Sequence, residues 1–110
     1  MTTRYTVQYV AAFHDRLADI EDYMAFHGRS EASIAQYTTA VYDTCDSFST
    51  FPNRGVTRDD VMPGLQITHY QGDTILAYVV DEDDKMVTFL GVFYGGQDWL
   101  SVYESPPIGH

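Results

Sequence analysis

The spacing of the apolar residues changes along the chain, and these changes limit what it can fold into. In segment 4–10, β-branched and aromatic residues alternate with polar ones, which is typical of a half-buried strand. Apolar residues then recur every three or four positions through two stretches, which indicates two amphipathic helices. Three apolar runs follow at 65–70, 75–80 and 86–94, separated by turn-forming residues. The predicted order of elements is therefore β-α-α-β-β-β.

Both helices have terminal signals. Gly28 is the expected residue just after the first helix, and Ser30 is the expected N-cap of the second. The apolar stripe of the first helix consists of Phe13, Leu17, Ile20, Met24 and His27. That of the second consists of Ile34, Thr38, Val41, Cys45 and Phe48. We expect an α+β fold in which this helical hairpin packs on one face of a small antiparallel sheet.

The two turns between the last three strands set the register of the sheet. A first hairpin that turns at 72–73 places Gln66 opposite Val79. A second hairpin that turns at 83–84 places Val79 opposite Thr88. This register predicts which side chains lie under the helices and which lie on the far face.

On that register the far face has no covering element, because only a short tail follows the last strand. His69 is assigned to the core face, as a structural histidine. The far face is predicted to carry Gln66, Thr68, Tyr70, Ile75, Ala77, Val79, Thr88, Leu90, Val92 and Tyr94. An exposed apolar patch of this kind marks a site for a partner protein.

Acidic residues outnumber basic residues by a wide margin. Among 110 residues there are 16 Asp and Glu against 6 Lys and Arg, which gives a formal net charge of −10. Affinity for nucleic acid depends on Lys and Arg contacts to phosphate, so direct nucleic-acid binding is not expected. The length suits one domain, which we assign to residues 1–110.

Cysteine usage and the termini bear on the compartment. A lone Cys45 can form no internal disulfide, which is typical of a reducing environment. The N-terminus lacks the basic start and apolar run of a signal peptide, and no stretch approaches the roughly 18 apolar residues of a membrane span. We expect a soluble cytoplasmic protein without a membrane partner.

The sequence offers little catalytic or metal-binding chemistry. The histidines, at His14, His27, His69 and His110, show no metal-ligand spacing. The acidic run 81–84 lacks the glycine and glutamate positions of a calcium loop and is predicted to be a solvated turn. No metal and no cofactor are therefore expected. Arg54 and Arg58 share one loop, where they could clamp an anion or pair with neighbouring acids, and the adjacent Asp59 and Asp60 favour local pairing.

Several short blocks, spread over nearly the whole chain, carry a family resemblance. The most specific read Phe51-Pro52-Asn53-Arg54-Gly55, Pro63-Gly64-Leu65 and Gly91-Val92-Phe93-Tyr94-Gly95-Gly96-Gln97-Asp98-Trp99. They resemble the RelE/ParE toxins of bacterial type II toxin–antitoxin systems, especially the ParE-like branch. The resemblance implies the same β-α-α-β-β-β fold. It also implies a toxin held inactive by a co-expressed antitoxin, whose C-terminal segment wraps the toxin as a helix and an extended piece.

Two departures from the family pattern bear on mechanism. The family commonly has arginine at the positions of Gln66 and Val79. Messenger-RNA cleavage of the RelE type needs positive charge to stabilise the reacting phosphate. The loss of these arginines therefore favours, within the resemblance, a toxin that binds a protein target rather than an enzyme. The family precedent for such a target is DNA gyrase.

Three functional hypotheses follow, each with its residues. For a protein-binding toxin, the antitoxin surface is predicted to contain Tyr70, Val79, Leu90, Val92 and Tyr94. Its target surface is predicted to contain Arg54, Arg58, Asp98 and Trp99. For the alternative of a ribosome-dependent messenger-RNA endoribonuclease, the candidate catalytic residues are Arg54, Arg58, His69 and Tyr94. The third hypothesis is an attenuated toxin-fold protein that only binds its antitoxin.

Overall fold

The computed structural model describes residues 3–103 and confirms the α+β fold class. Its elements are β1 (Thr6–Tyr9), α1 (Ala11–Phe26), α2 (Glu31–Asp46), β2 (Val56–Thr57), β3 (Gln66–Tyr70), β4 (Thr74–Asp81), β5 (Met86–Tyr94) and α3 (Trp99–Tyr103). Two short 3₁₀ turns, Ser47–Ser49 and Pro52–Arg54, follow α2. The short β2 falls in a segment predicted as loop. His110 lies outside the described residues.

The helical hairpin forms as its sequence signals predict. The Ser30 hydroxyl accepts a hydrogen bond from the Ser33 amide at 3.1 Å, which caps α2. Gly28 has a φ of +85°, the left-handed conformation expected after a helix C-terminus. The buried face of α1 consists of Phe13, Leu17, Ile20 and Met24, the predicted stripe without His27. This face packs on β5 and gives the main core.

The five strands form one sheet in the order β1-β5-β4-β3-β2. Strand β1 pairs in parallel with β5, while β2–β3, β3–β4 and β4–β5 are antiparallel pairs. The sheet is therefore mixed rather than wholly antiparallel. This pairing places β1 next to the longest strand and leaves β2 at the opposite edge.

The predicted register of the first hairpin is wrong by one residue. Tyr70 pairs with Thr74, so the turn has three residues, and Gln66 faces Tyr78 instead of Val79. Within this turn Gln71 and Gly72 have positive φ values of 57° and 76°. Because strand side chains alternate, this slip moves every β3 side chain to the other face of the sheet.

The second hairpin follows the predicted register only near its turn. Val79 pairs with Thr88 as predicted, but Ala77 pairs with Gly91, so Leu90 is the extra residue of a β-bulge on β5. The bulge reverses the facing of the rest of β5. Val92 therefore turns into the helix-side core, where it is fully buried. Its assignment to an exposed far face is wrong.

The far face is not bare, contrary to the prediction. It carries a second apolar cluster built from Leu65, Ile67, Ala77 and Phe93. Helix α3 and segment 61–62 pack against that cluster, so residues 99–103 form a covering element that was not predicted. His69 belongs to this face and is exposed, so its placement in the core was also wrong.

Candidate protein-binding surface

Four tyrosines from four elements meet at one end of the molecule and form what we call the tyrosine groove. They are Tyr23 on α1, Tyr37 on α2, Tyr70 at the end of β3 and Tyr94 at the end of β5. The Tyr94 ring lies 6.2 Å from that of Tyr23 and 5.7 Å from that of Tyr37, centroid to centroid. Both strand tyrosines face the helices because of the two register features described above.

The groove has two adjoining depressions. One has a volume of about 350 Å³ and the other about 370 Å³, and Arg29, Asp73 and Tyr94 line both. Tyr23 is 55% exposed, and Phe26, whose ring lies 5.3 Å from that of the groove-lining His27, is 86% exposed. Large exposed aromatic side chains beside a concave surface are typical of a protein-binding site.

Hydrogen bonds hold the groove walls in place. The Tyr37 hydroxyl lies 2.6 Å from Thr74 Oγ1, which joins α2 to β4. Burial raises the pKa of Tyr37. The Arg29 guanidinium donates to Ser33 Oγ at 3.0 and 2.8 Å, which turns it toward α2. These contacts fix the Tyr37 and Arg29 side chains in the absence of a partner.

The predicted antitoxin-binding residues divide between the two faces of the sheet. Tyr70 and Tyr94 line the groove. Val79 and Leu90 lie on the far face, where Leu90 packs against the second apolar cluster. Val92 is fully buried and offers no surface to a partner. The five residues therefore do not form one patch.

Three of the four predicted target-binding residues are neighbours. The Arg58 guanidinium lies 5.2 Å from the centre of the Trp99 ring and donates to both carboxylate oxygens of Asp60, at 2.9 and 2.8 Å. This pairing with Arg58 lowers the pKa of Asp60. Asp98 accepts a hydrogen bond from the Ser101 amide at the start of α3.

Arg54 lies apart from those three residues. Its guanidinium stacks 3.9 Å from the centre of the Phe48 ring and donates to Ser47 Oγ. Phe48 belongs to the helix-side core, whereas Trp99 packs on the far-face cluster. The two loop arginines thus cover opposite sides of the sheet, and the anion clamp suggested by their spacing does not form.

The candidate ribonuclease residues are also dispersed. His69 pairs with Ile75 on the far face, while Tyr94 pairs with Thr74 on the helix face. Arg54 and Arg58 are divided in the same way by the aromatic rings they contact. Proton transfer and phosphate stabilisation need groups that converge on one reacting centre. The described geometry brings no such centre together from these four residues.

Gln66, where the family resemblance expects arginine, lies inside the protein. It is 8% exposed, and its amide nitrogen donates to Asn53 Oδ1 at 2.7 Å. Asn53 in turn donates to Glu82 at 2.8 Å, and the Tyr5 hydroxyl donates to the same carboxylate at 2.6 Å. The predicted pairing of Gln66 with Val79 on an exposed face is therefore wrong.

The sequence prediction missed half of the groove. Tyr23 and Tyr37 were not assigned to a site, and neither were Arg29 and Asp73. No helical stripe contains the two tyrosines, because they flank the buried faces of their helices. The only signal available was position, because Tyr23 lies near the end of α1 and Tyr94 at the end of β5.

Within residues 3–103 no group of three or more His, Cys, Asp or Glu side chains could hold a metal ion. Over the same residues, no helix is long and apolar enough to cross a membrane.

The same fold occurs in solved toxin–antitoxin complexes. A chain of the chromosomal ParDE toxin–antitoxin system from P. aeruginosa aligns with a TM-score of 0.69 at 13% identity, covering 84% of this chain and 98% of that one. A chain of the RelBE2 toxin–antitoxin complex from Mycobacterium tuberculosis aligns with a TM-score of 0.56 at 20% identity, covering 86% and 94%. The protein therefore has a RelE/ParE-like toxin fold. No protein-family model matches the sequence, and no curated protein matches it.

Proposed function

We propose that this protein is the toxin of a type II toxin–antitoxin pair and that it acts by binding a protein. The observation that carries the proposal is the fold, which aligns over nearly the full length of a chain from a ParDE system. Fold alone does not define function, so the surfaces must supply the mechanism. Two of them bear on it.

The first surface is the tyrosine groove, which we assign to the antitoxin. It combines ordered aromatic walls with exposed apolar side chains at Tyr23 and Phe26. Aromatic residues in a preformed depression are the usual anchors of protein interfaces. Tyr70 and Tyr94 keep the antitoxin-binding role predicted from sequence, and Tyr23 and Tyr37 join them.

The second surface surrounds α3, where Arg58, Asp98 and Trp99 are neighbours, and we assign it to the toxic target. DNA gyrase is the first target to test, because it is the precedent in the family that the sequence resembles. A protein target is favoured over RNA by the net charge of −10 and by the dispersal of the ribonuclease candidates over both faces.

The proposal is tested first in cells. Induction of this chain alone should arrest growth, and co-expression with the adjacent reading frame should restore it. Co-purification then tests the groove: Tyr94→Ala should lose the partner protein, while Tyr5→Ala should retain it. Tyr5 is the matched control because it contacts Glu82 near the β4–β5 turn, at the other end of the sheet. Equal retention by both variants would remove the groove assignment.

The target is tested with purified protein. Inhibition of gyrase supercoiling at micromolar concentration supports the gyrase assignment, and its absence with an intact fold refutes it. Ribosome-dependent cleavage of transcripts after induction would instead support the endoribonuclease alternative. Absence of growth arrest together with partner binding would identify an attenuated, antitoxin-binding protein.

A further inference from the structure

The tyrosine groove contains a carboxylate as well as aromatic rings. Four tyrosine rings and the Asp73 carboxylate surround its two depressions. The face of a tyrosine ring attracts cations, and a neighbouring carboxylate adds to that attraction. We propose that the groove receives an arginine or lysine side chain from a basic segment of the antitoxin, an inference that rests on the proposed function.

The way this chain holds its own basic residues supports the proposal. Four of its six basic side chains lie over aromatic rings, at distances of 3.9 to 5.5 Å from the ring centres. These pairs are Arg16–Phe93, Arg54–Phe48, Arg58–Trp99 and Lys85–Tyr5. None of them involves a tyrosine of the groove. Within the described residues, the groove tyrosines contact other aromatic rings but no cation of this chain.

Asp73 supplies the charge at the centre of the groove. It lines both depressions, and within residues 3–103 its carboxylate makes no hydrogen bond or ion pair. Burial is the main cause of the raised pKa of Tyr37, and the charge of Asp73 adds the smallest contribution. Arg29 also lines both depressions, and its guanidinium donates to Ser33, which places the positive charge on the α2 side of the groove.

The charge of the whole molecule favours the same partner. A chain of net charge −10 attracts basic segments and repels acidic ones, and this raises the rate at which a basic partner arrives. An acidic segment would have to approach Asp73 against that field. The groove is therefore assigned a cationic occupant, and an acidic or a purely apolar segment is the competing outcome.

The test uses two amphipathic helical peptides of about 16 residues, a length that spans a groove of this kind. One has leucine, alanine and arginine, and the other has glutamate in place of every arginine. Binding to the intact chain is followed by amide chemical shifts in NMR spectra. The arginine peptide should move the signals of Tyr37 and Tyr94, and the glutamate peptide should bind at least about tenfold more weakly.

Matched variants separate a specific site from general attraction. Asp73→Asn and Asp83→Asn remove the same charge, but Asp83 lies in the exposed β4–β5 turn. Asp73→Asn should weaken binding of the arginine peptide by about five- to tenfold, whereas Asp83→Asn should change it by less than about twofold.

Several results would overturn the inference. They are equal losses from the two variants, equal binding of the two peptides, shifts confined to residues outside the groove, or no binding of the arginine peptide. The measurement needs neither toxicity nor the natural partner. A negative peptide titration would therefore refute this inference, whereas a negative growth assay would refute the proposed toxin function.

Discussion

Gln66 and Tyr78 face each other across β3 and β4, and the Tyr78 hydroxyl lies 3.1 Å from Gln66 Oε1. The same hydroxyl donates to the Pro52 carbonyl at 2.7 Å and accepts from the Gly55 amide at 3.0 Å. The buried Tyr78 side chain thus links segment 51–55 to the sheet. The position where the resemblance expects arginine serves here as part of that structural junction.

Removal of the Tyr78 hydroxyl should destabilise the protein. Tyr78→Phe leaves the Pro52 carbonyl and the Gly55 amide without their partner, and we expect a loss of about 1–3 kcal/mol in the free energy of unfolding. Chemical denaturation followed by circular dichroism measures it. Tyr70→Phe is the control, because within the described residues the Tyr70 hydroxyl makes no hydrogen bond. Equal stability of the two variants would contradict the junction.

The element order could be predicted from sequence because it depends on local pattern. Alternation, helical spacing and the capping residue Ser30 each act within a few positions, and all six elements that they predict are observed in the predicted order. The facing of β3 and β5 depended on single residues. A third turn residue shifts the register of the first hairpin, and a bulge at Leu90 adds one position to the second.

Those two single-residue features also decided how much of the candidate site could be predicted. Tyr70 and Tyr94 were assigned to a partner surface on the far face, and the structure places both on the helix face, in the groove. Val92 was assigned to the same surface, but the bulge at Leu90 turns it into the core, where it is fully buried. The far face itself was misjudged because five-residue α3 is too short to show a periodic pattern.

Gly91 should be intolerant of a side chain because α3 packs directly over it. A methyl group there would overlap the Tyr103 hydroxyl and lie 3.0 Å from the Phe93 ring. Gly91→Ala should therefore displace α3. Trp99, the single tryptophan of the chain, starts this helix, so its fluorescence emission should shift to longer wavelength.

The matching rescue removes the overlapping atom. Within the described residues the buried Tyr103 hydroxyl has no hydrogen-bond partner, so Tyr103→Phe alone should leave stability unchanged or raise it by up to about 1 kcal/mol. In the double variant the emission of Trp99 should return toward that of the unaltered protein. An unshifted Gly91→Ala spectrum would show that α3 does not depend on this contact.

Arg58 should matter for the target more than for the fold. Arg58 is partly buried and Asp60 is exposed, so loss of their ion pair and of the Trp99 ring contact in Arg58→Ala should cost about 1–2 kcal/mol of stability. If the α3 surface binds the target, this variant should lose inhibition of that target while it still co-purifies with the antitoxin. Arg54→Ala is the comparison, because Arg54 covers the other side of the sheet. Equal losses of inhibition would argue against the α3 surface.

Stability should decrease in acid through the Glu82 carboxylate. Hydrogen bonds from Tyr5 and Asn53 lower the pKa of Glu82 below its ordinary value of 4.5. A carboxyl with a depressed folded pKa contributes stability above its unfolded pKa, and that contribution is lost as the pH falls through the folded value. We expect Glu82→Gln to show a smaller decrease in unfolding free energy between pH 7 and about pH 3 than the unaltered protein does. Asp83→Asn, at the neighbouring position of the same turn, should preserve the full decrease. Parallel pH profiles for all three proteins would mean that Glu82 contributes nothing to the acid sensitivity.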